Sequence, residues 1–298
     1  MNLRVPNLKK GDKIMIVSPA KAIEQDKVHF AKHFLEKKGF VVEIGKNCLG
    51  QHHYFSGSVA ERLHDFQTAL DDPDTKAILC ARGGYGCVEL VDNIQWASFL
   101  RSPKWIIGYS DITVFHSRIS KLGGQSIHGT VPLNFEDNTE EALRTFIHAL
   151  QGTPYSIKGA HCAHNKLGSA EGTLVGGNLS ILYSLLGTDD QINYTNSILI
   201  IEDLAEHLYA IDRMLHSFRK AGVLDKIKGL IVGGMTDLKD TESPFGKSIE
   251  EIILSHFTFR KIPIAFDFPC GHIPDNRAVI LGKKITLTVS NNGSEMHF

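Results

Sequence analysis

The chain has little of what marks an extracellular, fibrous or membrane protein. Its 298 residues hold five cysteines, Cys48, Cys80, Cys87, Cys162 and Cys270. That number is odd and no C-x-x-C pair occurs, which argues against a disulfide framework and against zinc-ribbon spacing. Proline is sparse, with 10 residues against 27 glycines, and no compositional repeat accompanies them, so collagen-like and low-complexity classes fall away. Neither sign of charge is in excess: 32 Lys and Arg face 33 Asp and Glu, for a formal net charge of -1. No global field is therefore available to hold a nucleic acid or an anionic membrane. No apolar run reaches the roughly 18 residues of a spanning helix. The opening stretch MNLRVPNLKKGDKIMIVS has scattered charges and no signal-peptide pattern. The expected location is cytoplasmic.

What is present is ordinary globular material, 42% hydrophobic and 22% charged, in a length that fits two domains at about 150 residues each. Residues 13–18 (KIMIVS) read as a strand, and Val28, Ala31 and Leu35 share one helical face. The alternation continues with strands at 40–44, 76–80, 105–108 and 125–128. Helices sit between them, one marked by Leu63, Phe66 and Leu70 and another spanning about 112–122. This predicts an α/β fold with a doubly wound parallel sheet over residues 1–150. Residues 151–170 lack a sustained period and are expected to be a linker. A mixed β/α domain follows over 171–298, with a helix carrying Leu208, Ile211, Leu215 and Phe218. The terminal run AVILGKKITLTVS is expected to form two strands joined by a turn at Gly282 and Lys283.

Four loops carry candidate chemistry. In WIIGYSDIT, an apolar strand runs into a tight turn and then a helix, the setting that presents a serine hydroxyl at a sheet's carboxyl edge. The G-x-S-x-G pattern is incomplete, since Ile112 stands where glycine would be, so two readings of Ser110 remain: nucleophile or helix N-cap. RGGYG at 82–86 follows a strand directly, where backbone N–H groups can cradle an anion or oxyanion, or where glycines merely form a turn. Gly176-Gly177-Asn178 is a weaker case of the same signal. The acids of IED at 201–203 end an apolar strand, with Glu202 best placed, and Glu206, Tyr209, Asp212 and Arg213 follow. His272, in PCGHIP, is the histidine whose Pro- and Gly-punctuated loop suits catalysis best. A P-loop is excluded because Thr241 stands where its first glycine would be. His52, His53, His161, Cys162 and His164 fit no standard metal spacing, and Cys87 reads as a small buried hydrophobe.

In this order, RGGYG, GYSD, IED with its following D-R-M-L, and GHIPDN resemble the LD-carboxypeptidase family of serine peptidases, which includes the microcin C immunity proteins. The resemblance runs over nearly the whole chain. It implies a flavodoxin-like first domain, a swivelling mixed second domain and an active site in the cleft between them. It further implies Ser110 as nucleophile, Glu202 as the triad acid and His272 as the base. The backbone N–H groups of Asp111 and Gly84 would form the oxyanion hole. Arg82, Gly83 and Tyr85 are the candidate substrate contacts, with Arg82 suited to a free carboxylate. No metal or cofactor is implied. The implied substrate is a murein tetrapeptide, L-Ala-D-Glu-meso-diaminopimelate-D-Ala, cut at its L,D bond in peptidoglycan recycling, and the implied assembly is a homodimer. Two other readings stand beside it: an immunity hydrolase for peptidyl-nucleotides, and a non-catalytic anion-binding module.

Overall fold

The computed structural model describes residues 3–298; residues 1 and 2 of the expected first domain lie outside the described residues. Strand β1 (Lys13–Val17), helix α1 (Gln25–Lys37), β2 (Val41–Ile44), α2 (Val59–Asp71) and β3 (Thr75–Cys80) alternate as the pattern predicts. Val28, Ala31 and Leu35 are the buried residues of α1, and their spacing of three and four keeps them on one face. A reciprocal capping box between Ser58 and Glu61 starts α2. Then come α3 (Ala97–Arg101), β4 (Trp105–Gly108), α4 (Thr113–Lys121), β5 (Ser126–His128) and α5 (Glu140–Gln151). The five strands pair in parallel in the order β2-β1-β3-β4-β5. This is the flavodoxin-like order, in which ligands bind beyond the carboxyl ends of the strands.

The second sheet is mixed. It contains β6 (Ser156–Gly159), β7 (Gly168–Asn178), β8 (Ser197–Leu204), β9 (Gly229–Thr236) and β10 (Ile264–Ala265), then β12 (Lys284–Ser290) and β13 (Gly293–His297), after the short β11 (Val279–Leu281). Helices α6 (Leu179–Ser184), α7 (Leu208–Lys220), α8 (Val223–Lys226) and α9 (Ile249–Ser255) connect its parallel half. The order is β10-β9-β8-β7-β12-β13-β6. In β8 every residue but the last is buried, as expected where both faces are covered, whereas β12 alternates strictly between exposed and buried.

Three stretches differ from the sequence expectation. Residues 151–170 hold β6 and the start of β7 as well as loop, because β6 pairs with the terminal strand β13. The 171–175 strand runs on through Gly176 and Gly177, so this glycine pair is sheet and not a ligand loop; a Cβ on Gly176 would collide with the Ile200 carbonyl. The terminal run forms two strands, but they do not make a hairpin. β12 joins the second sheet, while β11 crosses back and pairs antiparallel with β5 at the edge of the first. The crossing is held on β7, where the Leu174 N–H donates to the Lys283 carbonyl and the Gly282 N–H to the Leu174 carbonyl.

One apolar cluster draws on both sheets, with Ile14, Leu79 and Ile107 from the first and Leu174, Ile198 and Leu287 from the second. Two further clusters cover the outer faces, around Phe66, Phe99 and Phe115 and around Leu182, Phe218 and Ile252. Among the described residues no helix is long and apolar enough to cross a membrane. The two halves also meet where α4 touches β7: the Asn178 N–H donates to Thr113 Oγ1 at 3.0 Å. Gly177, at φ +141°, lies so close that a Cβ would stand 2.6 Å from the same oxygen. Gly177→Val should therefore cost at least about 2 kcal/mol through backbone strain and overpacking. Urea unfolding measures this, and an unchanged midpoint would contradict the contact.

Candidate active site

β4 ends at Gly108, Tyr109 is extended, and Ser110 takes the left-handed conformation at φ +64° before the turn into α4. A non-glycine residue there is strained by about 1–3 kcal/mol and persists only where its surroundings enforce it. The enforcement is visible. Ile112 fills the space beside Gly108, where a Cβ would lie 2.7 Å from Ile112 Cγ1, so the isoleucine that breaks G-x-S-x-G also explains why position 108 is glycine. Buried His116 fixes the turn from beneath: its Nε2–H donates to the Gly108 carbonyl at 2.9 Å, and its Nδ1 accepts from the Ser126 hydroxyl at 2.8 Å. Burial pushes its pKa down to about 3, so the ring is neutral. Ser110 makes no cap bond to the following helix, which removes the N-cap reading.

The glycine loop lies against this elbow. A Cβ on Gly83 would come within 2.8 Å of Ser110 Cβ, 3.1 Å of its Oγ and 3.2 Å of the Asp111 nitrogen. Only glycine leaves that space open. Gly84, at φ +114°, turns the other way, towards Lys21 and the Tyr54 hydroxyl. The loop is anchored, not free. Buried Arg62 donates to the carbonyls of Pro19, Gly57 and Gly86 and pairs with Glu89. The Asp111 carboxylate accepts the Cys87 N–H at 2.9 Å, tying the loop's far end to the elbow; burial raises the Asp111 pKa. Arg82 donates to the Ala22 carbonyl, its Nε is buried without a partner, and it lines a polar cleft with Lys21, Glu24, Gln51, His53 and Tyr54. Tyr85 is half exposed beside Phe55.

From the second sheet, Glu202 of β8 is completely buried. Its Oε2 lies 2.6 Å from His272 Nδ1. Burial alone would raise the carboxyl pKa, but the facing imidazoles of His128 and His272 hold it at about 2. Burial likewise disfavours a charged His272, and the Glu202 carboxylate outweighs it and raises the pKa of the ring. An ionised carboxylate only accepts, so Nδ1 carries the proton and Nε2 is left as a free base. Gly271 makes the approach possible, since at φ +93° its missing Cβ would fall 2.6–2.7 Å from three atoms of Glu202. The His272 ring packs edge-on against Tyr109, with centroids 4.8 Å apart, next to Ser110 in the chain.

The neighbouring acids do other work. Asp203 accepts from Asn178 Nδ2 and from the Ser180 and Leu204 N–H groups; burial raises its pKa to about 6. Glu206 is half-buried and Tyr209 exposed, with Arg213 over the Tyr209 ring. Asp212 approaches His256 and His216 on the outside of α7 and α9. Arg219 donates to His216 Nδ1, the nitrogen that a metal-bound imidazole would keep protonated, and burial lowers the His256 pKa, so the group is a hydrogen-bonded contact between two helices. Cys162 and His164 are 3.9 Å apart with no third ligand beside them among the described residues. Cys87 is wholly buried, which drives its thiol pKa up and away from nucleophilic use. Sequence reading passed over Arg62, His116 and His128. For His128 a signal existed, because it ends a strand at the sheet's carboxyl edge, but fifteen histidines diluted it.

A strained hydroxyl-bearing elbow beside a buried carboxylate–imidazole pair, drawn from two sheets, is the layout of a hydrolase. Comparison with known proteins agrees. Residues 14–129 match the LD-carboxypeptidase N-terminal domain and residues 171–287 the C-terminal domain. A probable murein peptide carboxypeptidase of Bacillus subtilis is 31% identical, over 97% of this chain and 93% of that protein. The murein tetrapeptide carboxypeptidase of Pseudomonas aeruginosa is 30% identical, over 92% of each. The microcin C7 self-immunity protein MccF of Escherichia coli is 26% identical, over 94% of this chain and 92% of its own. Among solved structures, muramoyltetrapeptide carboxypeptidase from Oxalobacter formigenes superposes with a TM-score of 0.87 at 27% identity, over 96% and 98% of the two chains. The chain belongs to the LD-carboxypeptidase family, and that membership supports a hydrolase activity of the carboxypeptidase kind.

The charge pairing has a pH signature. His272, raised above its free value of 6.5, contributes stability in full below that value and loses it as pH rises through the folded pKa. Glu202, lowered from 4.5, contributes above 4.5 and loses it as pH falls towards about 2. NMR titration should place His272 above 6.5 in the native protein and lower in Glu202→Gln. A midpoint unmoved by that substitution would contradict the pairing.

Proposed function

We propose that the protein is a serine-type LD-carboxypeptidase that removes the terminal D-alanine from the murein tetrapeptide L-Ala-D-Glu-meso-diaminopimelate-D-Ala. The observation that carries this reading is the buried Glu202–His272 bond, delivered against Tyr109 at the foot of a strained Ser110. His272 Nε2 takes the proton of Ser110 Oγ as the oxygen attacks the carbonyl of the diaminopimelate residue. Glu202 fixes the tautomer and stabilises the imidazolium. The N–H groups of Asp111 and Gly84 receive the oxyanion, in the space that the bare Gly83 keeps open, each worth about 3 kcal/mol in the transition state. Neither Gly83 nor Gly84 spends its N–H on a backbone acceptor among the described residues.

The imidazolium then protonates the leaving amine, D-alanine departs, and water releases the acyl group by the same steps reversed. A carboxypeptidase has to recognise a free carboxylate. Arg82, with its Nε unpaired and its head in the polar cleft beside the elbow, supplies the cation, and the half-exposed Tyr85 borders the same side. An immunity-type activity on peptidyl-nucleotides would call for aromatic stacking of a base. The 234–248 stretch offers only Phe245, itself half-buried.

The test is incubation with the tetrapeptide and, separately, with processed microcin C, followed by mass spectrometry. The wild type should release D-alanine, and Ser110→Ala should lose at least about a thousandfold in kcat while unfolding at the same temperature. Turnover by folded Ser110→Ala would overturn the mechanism, and cleavage of the microcin alone would overturn the substrate.

A further inference from the structure

Glu202 has two oxygens and only one of them is accounted for by His272. Oε2 bonds His272, while Oε1 has no hydrogen-bond partner although it is shut off from solvent. A buried carboxylate oxygen left this way is costly, about 1–3 kcal/mol or more. Facing it at 3.7 Å is Nε2 of His128, a residue with no exposed surface whose two ring nitrogens are likewise unpartnered. The two deficits match in place and in kind. A closure of about 0.7 Å would bring them to ordinary hydrogen-bond length.

Three polar neighbours are already engaged elsewhere. His116 has given both nitrogens to Gly108 and Ser126, the Tyr109 hydroxyl goes to Asn134, and Asp203 bonds Asn178 and the backbone of α6. His128 is also held rigidly where it stands. It is the last residue of β5, in register with Gly108 of the elbow strand on one side and Val279 of β11 on the other, and the next residue's N–H donates to the Gly108 carbonyl.

We propose that His128 is a positioning residue: its Nε2–H holds the second oxygen of Glu202, clamping one buried carboxylate between two imidazoles. This inference rests on the reading of Glu202 and His272 as acid and base. Because His128 belongs to the sheet that carries Ser110 and Glu202 to the other sheet, the clamp sets the acid–base pair in register with the nucleophile. Without it the carboxylate is free to rotate, or to take up a proton in a site whose burial favours the neutral form.

The test uses the full chain and the variants His128→Leu, His128→Gln and His128→Asn, with Glu202→Gln as control. Leu should lower kcat on the tetrapeptide by about 10–100-fold, the loss of one charged hydrogen bond, with KM within about twofold. Gln places an amide N–H near the Nε2 position and should restore most of that rate, while the shorter Asn should not. In NMR the downfield Nδ1 proton of His272 should move in Leu and return in Gln, a readout that needs no substrate. A wild-type kcat in Leu, or Gln no better than Asn in both rate and resonance, would overturn the clamp. If Leu fails to fold, the Gln–Asn comparison decides alone. Impairment in Glu202→Gln but in no His128 variant would sink this inference only; full activity in Glu202→Gln would sink the acid–base reading beneath it.

Discussion

A carboxylate with no exposed surface sits at the centre of this molecule, and much of the surrounding architecture serves to make Glu202 tolerable there. Burying an isolated charge costs several kcal/mol even after relaxation, and the cost is recovered only when well-placed donors surround it. The donors come from two directions. His272 arrives on a loop that can touch Glu202 only because Gly271 has no side chain, and His128 arrives from the end of a strand in the other sheet. Gly233 opens the remaining side, since a Cβ there would meet Cys270 as well as approach Glu202. Glycines at these positions are space requirements of a charged centre and not signs of mobility.

The same constraint explains the crossing of β11. A His272 loop built wholly on the second sheet would be free to swing with it. By sending Val279–Leu281 back to pair with β5, the chain staples the GHIPDN loop to the sheet that carries Ser110. The Thr139 N–H and Asn138 Nδ2 both donate to the Pro274 carbonyl, and a hydrogen bond from the Thr139 hydroxyl to Asp275 adds to the join. The elbow, the glycine loop and the Glu202–His272 pair are thus held in one frame, with Arg62, Asp111 and His116 fixing the first two from below.

Much of this was legible in the sequence, and what was not has a physical cause. Period and composition marked the alternating half, because helices with faces such as Val28, Ala31 and Leu35 and fully apolar strands such as WIIG are local properties. The failures are all of pairing. Nothing local in AVILGKKITLTVS distinguishes a hairpin from two strands bound for different sheets, and β6 is a strand only because β13, more than 130 residues on, comes back to meet it. In the site, loop setting singled out Ser110 and His272 and the strand end singled out Glu202, while their roles as nucleophile, base and acid came only from the family resemblance. The roles of Arg62 and His116 depend on burial and on carbonyls distant in sequence, so no motif could announce them. For the glycine loop the expectation put the Gly84 N–H before that of Gly83 as oxyanion donor. The structure separates them, with Gly83 against Ser110 and Gly84 turned towards Lys21.

We infer that Ser110 is a nucleophile made reactive by His272 and Glu202. Treating the protein with a fluorophosphonate and mapping the adduct by peptide mass spectrometry tests it most directly, because the reagent needs no knowledge of the natural substrate. A single adduct on Ser110 is expected, lost in His272→Ala and strongly slowed in Glu202→Gln. Labelling at another residue, or labelling of Ser110 that is indifferent to both substitutions, would contradict it.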